Sequence, residues 1–411
     1  MPAKFDIGFE EALSLTVERL FPLQAIDMAV EAACGFVSAE DCYAVVDCPS
    51  ATSSLKDGFA VVSADVSGAS KDHPVRLMIG GMIGAGDDSN LIVQPGLAVK
   101  VMTGANIPQG ADAVVAQEFI REENNHVIFY RGAVPEKNIL TRGSDVEKGR
   151  PVAIQGDILA PAMTGLLAAG GLHTVKVRPR PRIGIIATGD EVVAPGRPLK
   201  AGQLYASNLV TLISWLQQFR MEAESVVVPD QEKAIRNAME EMLVKVDALM
   251  TSGGAWKSER DLTTRILAEM GGDLIFHRVR LGPGKAVALI LVDGKPVFCL
   301  PGGPPSNEMA FLQIALPGLL HMTGRPPTPF GTRKAYLSTP VGGDITWTQF
   351  FQAKLEKKND HWLAHPLMMK SRLQSQASAE ALIKVPQGVE RLNEGDEIEV
   401  QILRTCFEGN R

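Results

Sequence analysis

Residues 182–192 read RIGIIATGDEV, and the fold follows from how that pattern of strand and glycine turn recurs. Arg182–Ala187 is nearly all apolar, as a parallel strand buried on both faces must be. Asn208–Phe219 then spaces Leu209, Leu212, Ile213 and Leu216 along one side of a helix. Ser225–Val228 reads as a second strand. Asp230 is placed to cap a helix whose apolar face is Ile235, Ala238, Met242 and Val246. Asp247–Met250 is a third strand, running into the loop TSGGAWKSERD (251–261). Asp261 can cap the next helix, Leu262–Met270, which stops at Gly271. Strands at Ala286–Leu291 and Pro296–Leu300 follow, and Pro305 suits the first turn of the helix beyond them. This alternation predicts a doubly wound α/β domain over 179–327.

Outward from that core the texture changes twice. Residues 9–34 carry helical periodicity through Ala12, Leu13, Val17 and Leu20, with a second short helix expected near Ile26–Ala33. From there, short apolar runs (Ala60–Val62, Val75–Met78, Leu97–Met102, Ala113–Ala116) alternate with Gly-, Pro- and Asp-rich turns. Residues 119–132 (FIREENNHVIFYRG) spell a hairpin turning at Asn124 and Asn125. A β-rich insert domain is therefore expected over 46–139. Helix returns at 158–172, opened near Pro161 and closed by Gly170 and Gly171. The helical linker domain is thus expected to be discontinuous, 1–45 plus 140–178. Beyond Arg325 the helices vanish, and 328–411 predicts a small C-terminal β-barrel-like domain. The class is multidomain α/β.

The chain has 411 residues, 45% hydrophobic and 21% charged, which is globular and too long for one core. A net charge of −6 argues against nucleic acid as the main partner. No apolar run approaches the ~20 residues of a bilayer span, and the N-terminus lacks a signal pattern. Cys34, Cys42, Cys48, Cys299 and Cys406 have no CxxC spacing and read as reduced thiols, so a cytoplasmic location is expected.

Ligands of open α/β sheets bind beyond the carboxyl ends of the strands. Three loops there, ATGDEV (187–192), TSGGAWKSERD (251–261) and LPGGPPSN (300–307), combine glycines with Asp190, Glu191, Glu259 and Asp261. Glycine lets backbone N–H groups approach an anion, and carboxylates beside an anion make sense when Mg²⁺ bridges them. Gly282-Pro283-Gly284-Lys285 is either an oxyanion loop or a tight turn between strands. Trp256 either stacks on a ring ligand or covers the sheet. His277 has no second histidine at ligand spacing. No GxGxxG, GxxxxGK[ST] or GxSxG motif is present, which removes the common dinucleotide, P-loop and hydrolase readings.

Taken together, SSLKDGFAV (53–61), VMTGANIPQGADAVVAQE (101–118), RGSDV (142–146), IATGDEVVAPGRPL (186–199), GQLYASN (202–208), TSGG (251–254), GPGKA (282–286), LPGGPPS (300–306) and SRLQSQASAEALIKVP (371–386) resemble the molybdopterin molybdotransferases, bacterial enzymes related to the gephyrin E domain. The order and spacing of these motifs cover essentially the whole chain. The resemblance implies a homodimer of four-domain subunits that uses Mg²⁺ to cleave adenylylated molybdopterin, releasing AMP as molybdate is inserted. The active cleft would lie between the α/β domain of one subunit and the insert of its mate. Carried over motif by motif, Asp57, Thr103 and Asp145 are the insert-side and hinge-side contributors. Glu191, Asp230, Asp261 and Lys285 serve the α/β side, with Glu191 and Asp261 on the metal. Thr188, Gly189, Asp190, Ser252, Gly253, Gly254, Pro301, Gly302 and Ser371 are the expected pterin-binding set.

The chain also departs from the family pattern. The usual GGVSVG is GGAWKS, the usual KPGKP is GPGKA with Gly282 and Ala286 at its ends, and Ala206, Leu140, Gln352 and Glu380 replace expected residues. These changes suggest altered preference, for instance for tungstate or another pterin form. Two other classes stand beside the enzyme: a molybdopterin carrier without turnover, and an interaction scaffold.

Overall fold

In the computed structural model, residues 3–87, 90–253, 262–367 and 371–403 are described. Gly254 and Asp261 of the expected site, and Trp256, lie outside them. The chain divides into two units, Met1–Ala25 with Arg178–Arg411, and Ile26–Val177. The segment 1–45, expected to share one domain with 140–178, is therefore distributed over both.

The N-terminal segment supplies strand β1 (Lys4–Gly8) and helix α1 (Phe9–Arg19) to the larger unit. Phe9, Ala12 and Leu15 point α1 into the main core, with Leu20 just beyond its end.

The smaller unit opens with β2 (Ile26–Ala29), followed by a single 3₁₀ turn, Val30–Ala32. The helix expected at Ile26–Ala33 is thus a strand for its first half. An eight-residue segment carries no decisive period, and the available partner strand decides it. The insert consists of β3 (Gly58–Val61), β4 (Val75–Ile83), β5 (Leu97–Val101), β6 (Ala113–Ala116), β7 (Ile120–Glu123) and β8 (His126–Phe129). They form one sheet in the order β7-β8-β4-β5-β3-β6. The predicted hairpin is β7–β8, with Asn124 at φ 54° in its turn. Phe59 and Val61 enter one hydrophobic cluster and Ala60 the other, so β3 is covered on both faces. Helix α2 (Pro161–Ala169) begins on its proline, and Gly171 follows it at φ 90°. Strand β9 (Thr174–Arg178) then pairs antiparallel with β2, which settles the strand at 26–29.

The larger unit continues with β10 (Ile183–Thr188), α3 (Ser207–Gln218), β11 (Ala223–Val228), α4 (Glu232–Lys245), β12 (Ala248–Ser252), α5 (Leu262–Glu269), β13 (Asp273–Gly282), β14 (Ala288–Val292), β15 (Lys295–Leu300), α6 (Pro304–Ala310) and α7 (Leu316–Met322). The sheet order is β11-β10-β12-β15-β14-β13. Strands β11, β10, β12 and β15 run parallel, while β14 is antiparallel to both neighbours. Strand β1 adds parallel to β13, Lys4 against Phe276. Ile183 and Ile185 pack with Leu209, Leu212 and Leu216 of α3 on one face. Ile186 packs with Ile235, Met239 and Met242 of α4 on the other, so the sheet is doubly wound as expected. A Cβ on Gly184 would meet Met242 Cγ at 2.4 Å, which is why glycine interrupts this strand.

Asp230 is not the cap of α4. The N-cap is Gln231, without a side-chain hydrogen bond, because the Pro229–Gln231 turn closes on itself through Gln231 N to Pro229 O at 2.7 Å.

The tail adds β16 (Thr332–Leu337), β17 (Thr348–Lys358), β18 (His361–Pro366), α8 (Arg372–Ser378), β19 (Ala381–Val385) and β20 (Glu397–Ile402). Strands β17-β18-β16-β20-β19 pair in sequence, and β19 returns to β17, closing a five-stranded barrel. Strand β17 also joins β13, Gly282 opposite Gln349. Among the described residues no helix is long and apolar enough to cross a membrane.

Candidate functional site

Strand β10 is the first of the α/β domain in sequence, and its neighbours β11 and β12 lie on opposite sides. Connections therefore leave the carboxyl ends of β10 and β12 in opposite senses, and this switch of direction is where open α/β sheets form their binding crevice. Thr188 ends β10, Ser252 ends β12, and Leu300 ends the adjacent β15. The described parts of the three predicted loops, including Thr251–Gly253 of the second, meet here.

Close backbone approach makes glycine obligatory at 253. Gly253 sits at φ 108°, and a Cβ there would lie 2.5 Å from Thr188 O and 2.9 Å from Thr188 Oγ1. A Cβ on Gly302 would reach Gly253 Cα at 3.6 Å. Gly189 adopts φ 146°. Any side chain at 253 would collide with the end of β10 and strain the turn.

Two asparagines, which sequence reasoning did not single out, fix the loops. Asn208 Nδ2 donates to Gly302 O at 2.8 Å and to Ser252 Oγ at 3.3 Å. Asn307 Nδ2 donates to Pro301 O at 2.8 Å and to Ser252 Oγ at 3.0 Å. Both lie inside motifs already quoted, GQLYASN and LPGGPPSN, and that membership is the signal that pointed to them. Thr188 is 4% exposed, and its hydroxyl has no hydrogen-bond partner among the described residues. An unmade hydrogen bond on a buried hydroxyl costs about 1–3 kcal/mol, so a ligand that completes it gains that much.

Around the crevice, Asp190 Oδ1 accepts the Asp230 backbone N–H at 3.1 Å, joining two predicted residues. The Glu191 carboxylate lies by Gly189, 2.9 Å from where a Cβ would be. Among the described residues, no group of three or more His, Cys, Asp or Glu side chains forms a metal cage. Glu191 is the described half of the predicted metal pair. Lys285 follows the turn at Gly282–Gly284 and places Nζ 5.1 Å from the centre of the Trp347 ring. Gly282 stands where β13 meets β17: a Cβ would sit 3.2 Å from Gln349 Cγ. Ser371 is the N-cap of α8, its Oγ accepting from Gln374 N at 3.3 Å. That helix is tied to α6 by Gln376 Nε2, which donates to Glu308 Oε2 at 2.8 Å and Pro304 O at 3.1 Å.

The smaller unit holds the remaining predicted residues. Asp57 Oδ1 accepts from Thr103 N at 2.7 Å and from Thr103 Oγ1 at 2.9 Å. These two donors hold the Asp57 carboxyl below its ordinary range, the backbone N–H contributing most. Asp145 is positioned separately, its N–H on Cys48 O at 2.9 Å. The RGSDV loop around it is organised by Asp47, another residue that sequence reasoning passed over. Asp47 accepts from Lys148 N at 2.7 Å and Arg142 Nε at 2.6 Å, and both lower its pKa.

With this geometry in hand, comparison with known proteins is decisive. Residues 7–171 match the MoeA N-terminal region (domain I and II), 184–321 a probable molybdopterin binding domain, and 334–403 the MoeA C-terminal region (domain IV). The chain is 30% identical over 397 residues to molybdopterin molybdenumtransferase 2 of Mycobacterium tuberculosis, covering 95% of this chain and 98% of that one. It is 32% identical over 322 residues to the molybdopterin molybdenumtransferase of Haemophilus influenzae, covering 78% of each. The crystal structure of a molybdopterin biosynthesis MoeA protein from Pyrococcus horikosii superposes with a TM-score of 0.83 at 32% identity, covering 97% of this chain and 99% of that one. The chain belongs to the MoeA family, the molybdopterin molybdenumtransferases.

Proposed function

We propose that this protein is a molybdenum-cofactor biosynthetic transferase that inserts molybdenum, supplied as molybdate, into adenylylated molybdopterin with release of AMP. The observation that carries the reading is the crevice where β10, β12 and β15 end. There the buried Thr188 hydroxyl lacks a partner among the described residues, and glycine at 253 lets the loop after β12 close onto the end of β10. Thr188, Gly189, Ser252, Gly253, Pro301 and Gly302 would hold the pterin phosphate end, with Gly254 continuing the second loop.

Roles follow from residue chemistry. Lys285, held over Trp347, supplies a fixed positive charge to the phosphoanhydride as negative charge develops on the departing phosphate. Asp190, through Asp230 N–H, sets the approach of the neighbouring strand ends. Asp57 remains ionised because Thr103 donates twice to it, and with Asp145 it offers acceptors to the substrate. Ser371 starts the helix that docks on α6 and supports the crevice from the barrel side. Magnesium suits this donor set: Glu191 at the crevice edge, with Asp261, offers the one or two carboxylates that hold Mg²⁺ beside phosphates. When bound, it would neutralise charge on the phosphoanhydride. The proposal extends to a homodimer acting in the cytoplasm, and to four domains with boundaries near 45, 140, 178 and 328.

The test is direct. The purified protein, given adenylylated molybdopterin, Mg²⁺ and molybdate, is expected to release AMP and yield a cofactor that activates a molybdenum-free apoenzyme. EDTA should stop release, and sedimentation should give twice the chain mass. Absence of AMP with molybdate and with tungstate would overturn the transferase assignment. Binding without release would indicate a carrier.

A further inference from the structure

Ser252 ends β12 and is 5% exposed. A serine oxygen has two lone pairs and one proton to give. Each asparagine beside it has its amide orientation fixed independently, because one Nδ2 hydrogen goes to a backbone carbonyl that can only accept. For Asn208 that carbonyl is Gly302 O, and for Asn307 it is Pro301 O, both at 2.8 Å. The second Nδ2 hydrogen of each then points at Ser252 Oγ, at 3.3 and 3.0 Å. Both lone pairs of the hydroxyl are thereby filled. Its proton has no acceptor among the described residues.

We infer that Asn208 and Asn307 are positioning residues that convert Ser252 into an obligate hydrogen-bond donor aimed at an acceptor oxygen of the substrate. The inference rests on the transferase activity proposed for the same crevice, and it assigns a specific polarity to one of its contacts. An ordinary serine can rotate to donate or accept. This one discriminates, because an acceptor oxygen is rewarded and a donor N–H is left facing a proton. The neighbouring Thr188 hydroxyl, buried and without a partner, faces the same glycine at 253 and adds a second group to the recognition. Two sources provide such an oxygen, a phosphate of the adenylylated side chain or the ring carbonyl of the pterin.

The experiment uses the full-length protein with adenylylated molybdopterin. Ser252→Ala is expected to raise KM about ten- to a hundredfold with kcat little changed, the range for loss of a hydrogen bond to a charged acceptor. Ser252→Cys keeps the volume, donates weakly and should lose most of the same affinity. Asn208→Asp turns one donor into an acceptor that captures the serine proton, and should also weaken binding. In the Ser252→Ala background the part of the Asn208→Asp loss that passes through Ser252 should disappear, leaving only the part due to the lost Gly302 O contact. If the loss persists at full size, it is charge repulsion and the inference is overturned. Thermal melting verifies folding for each variant. Titrations with AMP and with phosphate-free 6-hydroxymethylpterin identify the acceptor: the serine variants lose affinity for the phosphate in one case and for the ring in the other. If Ser252→Ala and Ser252→Cys bind adenylylated molybdopterin within twofold of wild type, this inference alone fails. A wild-type protein that neither binds nor turns over the compound overturns the transferase proposal and this inference with it.

Discussion

Thr188 concentrates a trade between stability and binding. Its hydroxyl is buried without a partner, and the cost is carried by the ligand-free protein. Thr188→Val keeps the shape and removes the orphan group, so it is expected to stabilise the free protein by about 1 kcal/mol. The same change should weaken substrate binding. Urea unfolding and the KM for adenylylated molybdopterin check the two halves, and a lower unfolding midpoint would contradict the account. Asp57 gives a pH prediction of known sign. Its folded pKa is lowered by the Thr103 N–H and hydroxyl. The interaction therefore stabilises the fold above the unfolded carboxylate range and is lost as pH falls through the lowered midpoint. An NMR titration of Asp57 should show that midpoint, and Thr103→Val should raise it part of the way back. The resemblance read from the sequence named Thr188, Asp57 and Thr103, because motifs carry residue types. It passed over Asn208 and Asn307, whose importance lies in which carbonyl each amide faces.

Helix α6 is the element on which the crevice is hung. It starts on Pro304 and carries Asn307 into the loop contacts and Glu308 away from them. Glu308 is 9% exposed and accepts from Trp215 Nε1 of α3 and Gln376 Nε2 of α8, both at 2.8 Å. Glu308→Ala leaves Trp215 Nε1 unpaired and removes one of the two acceptors of Gln376 Nε2, and is expected to destabilise the larger unit by about 1–3 kcal/mol. Thermal unfolding measures the loss, and an unchanged midpoint would refute the role. Most elements of the α/β domain were legible because strands buried on both faces and helices with one apolar face are distinct periodic patterns. Failures came where the period was short or the partner remote. Ile26–Ala29 reads as helix until β9 claims its backbone. Asp230 has the composition of a cap, but the helix starts one residue too late for it, with Gln231 at the N-cap.

The division of the molecule into two units has a physical basis. Residues 26–177 are one continuous segment with their own apolar clusters around Phe59, Val99 and Leu159. A fragment of these residues is expected to fold alone, with cooperative thermal unfolding by circular dichroism. A fragment beginning at 178 should not, because it lacks β1 on the edge of β13 and the core residues Phe9, Ala12 and Leu15. Adding residues 1–25 in trans should raise its midpoint, and equal stability with and without them would contradict this. The sequence located the insert and the barrel by texture. It could not tell that the first 25 residues join the distant half, since no local pattern reports a pairing across most of the chain.

That pairing has a consequence on the ribosome. Strand β1 is synthesised well before the strand it docks on, which emerges roughly 270 residues later. At ~5–20 residues per second, the nascent chain waits about a quarter of a minute to a minute with Ile7 and Phe9 unsheltered. Meanwhile the segment after it can complete its fold. Residues 4–19 thus stay exposed as a docking segment until the strand at 273–282 has been made.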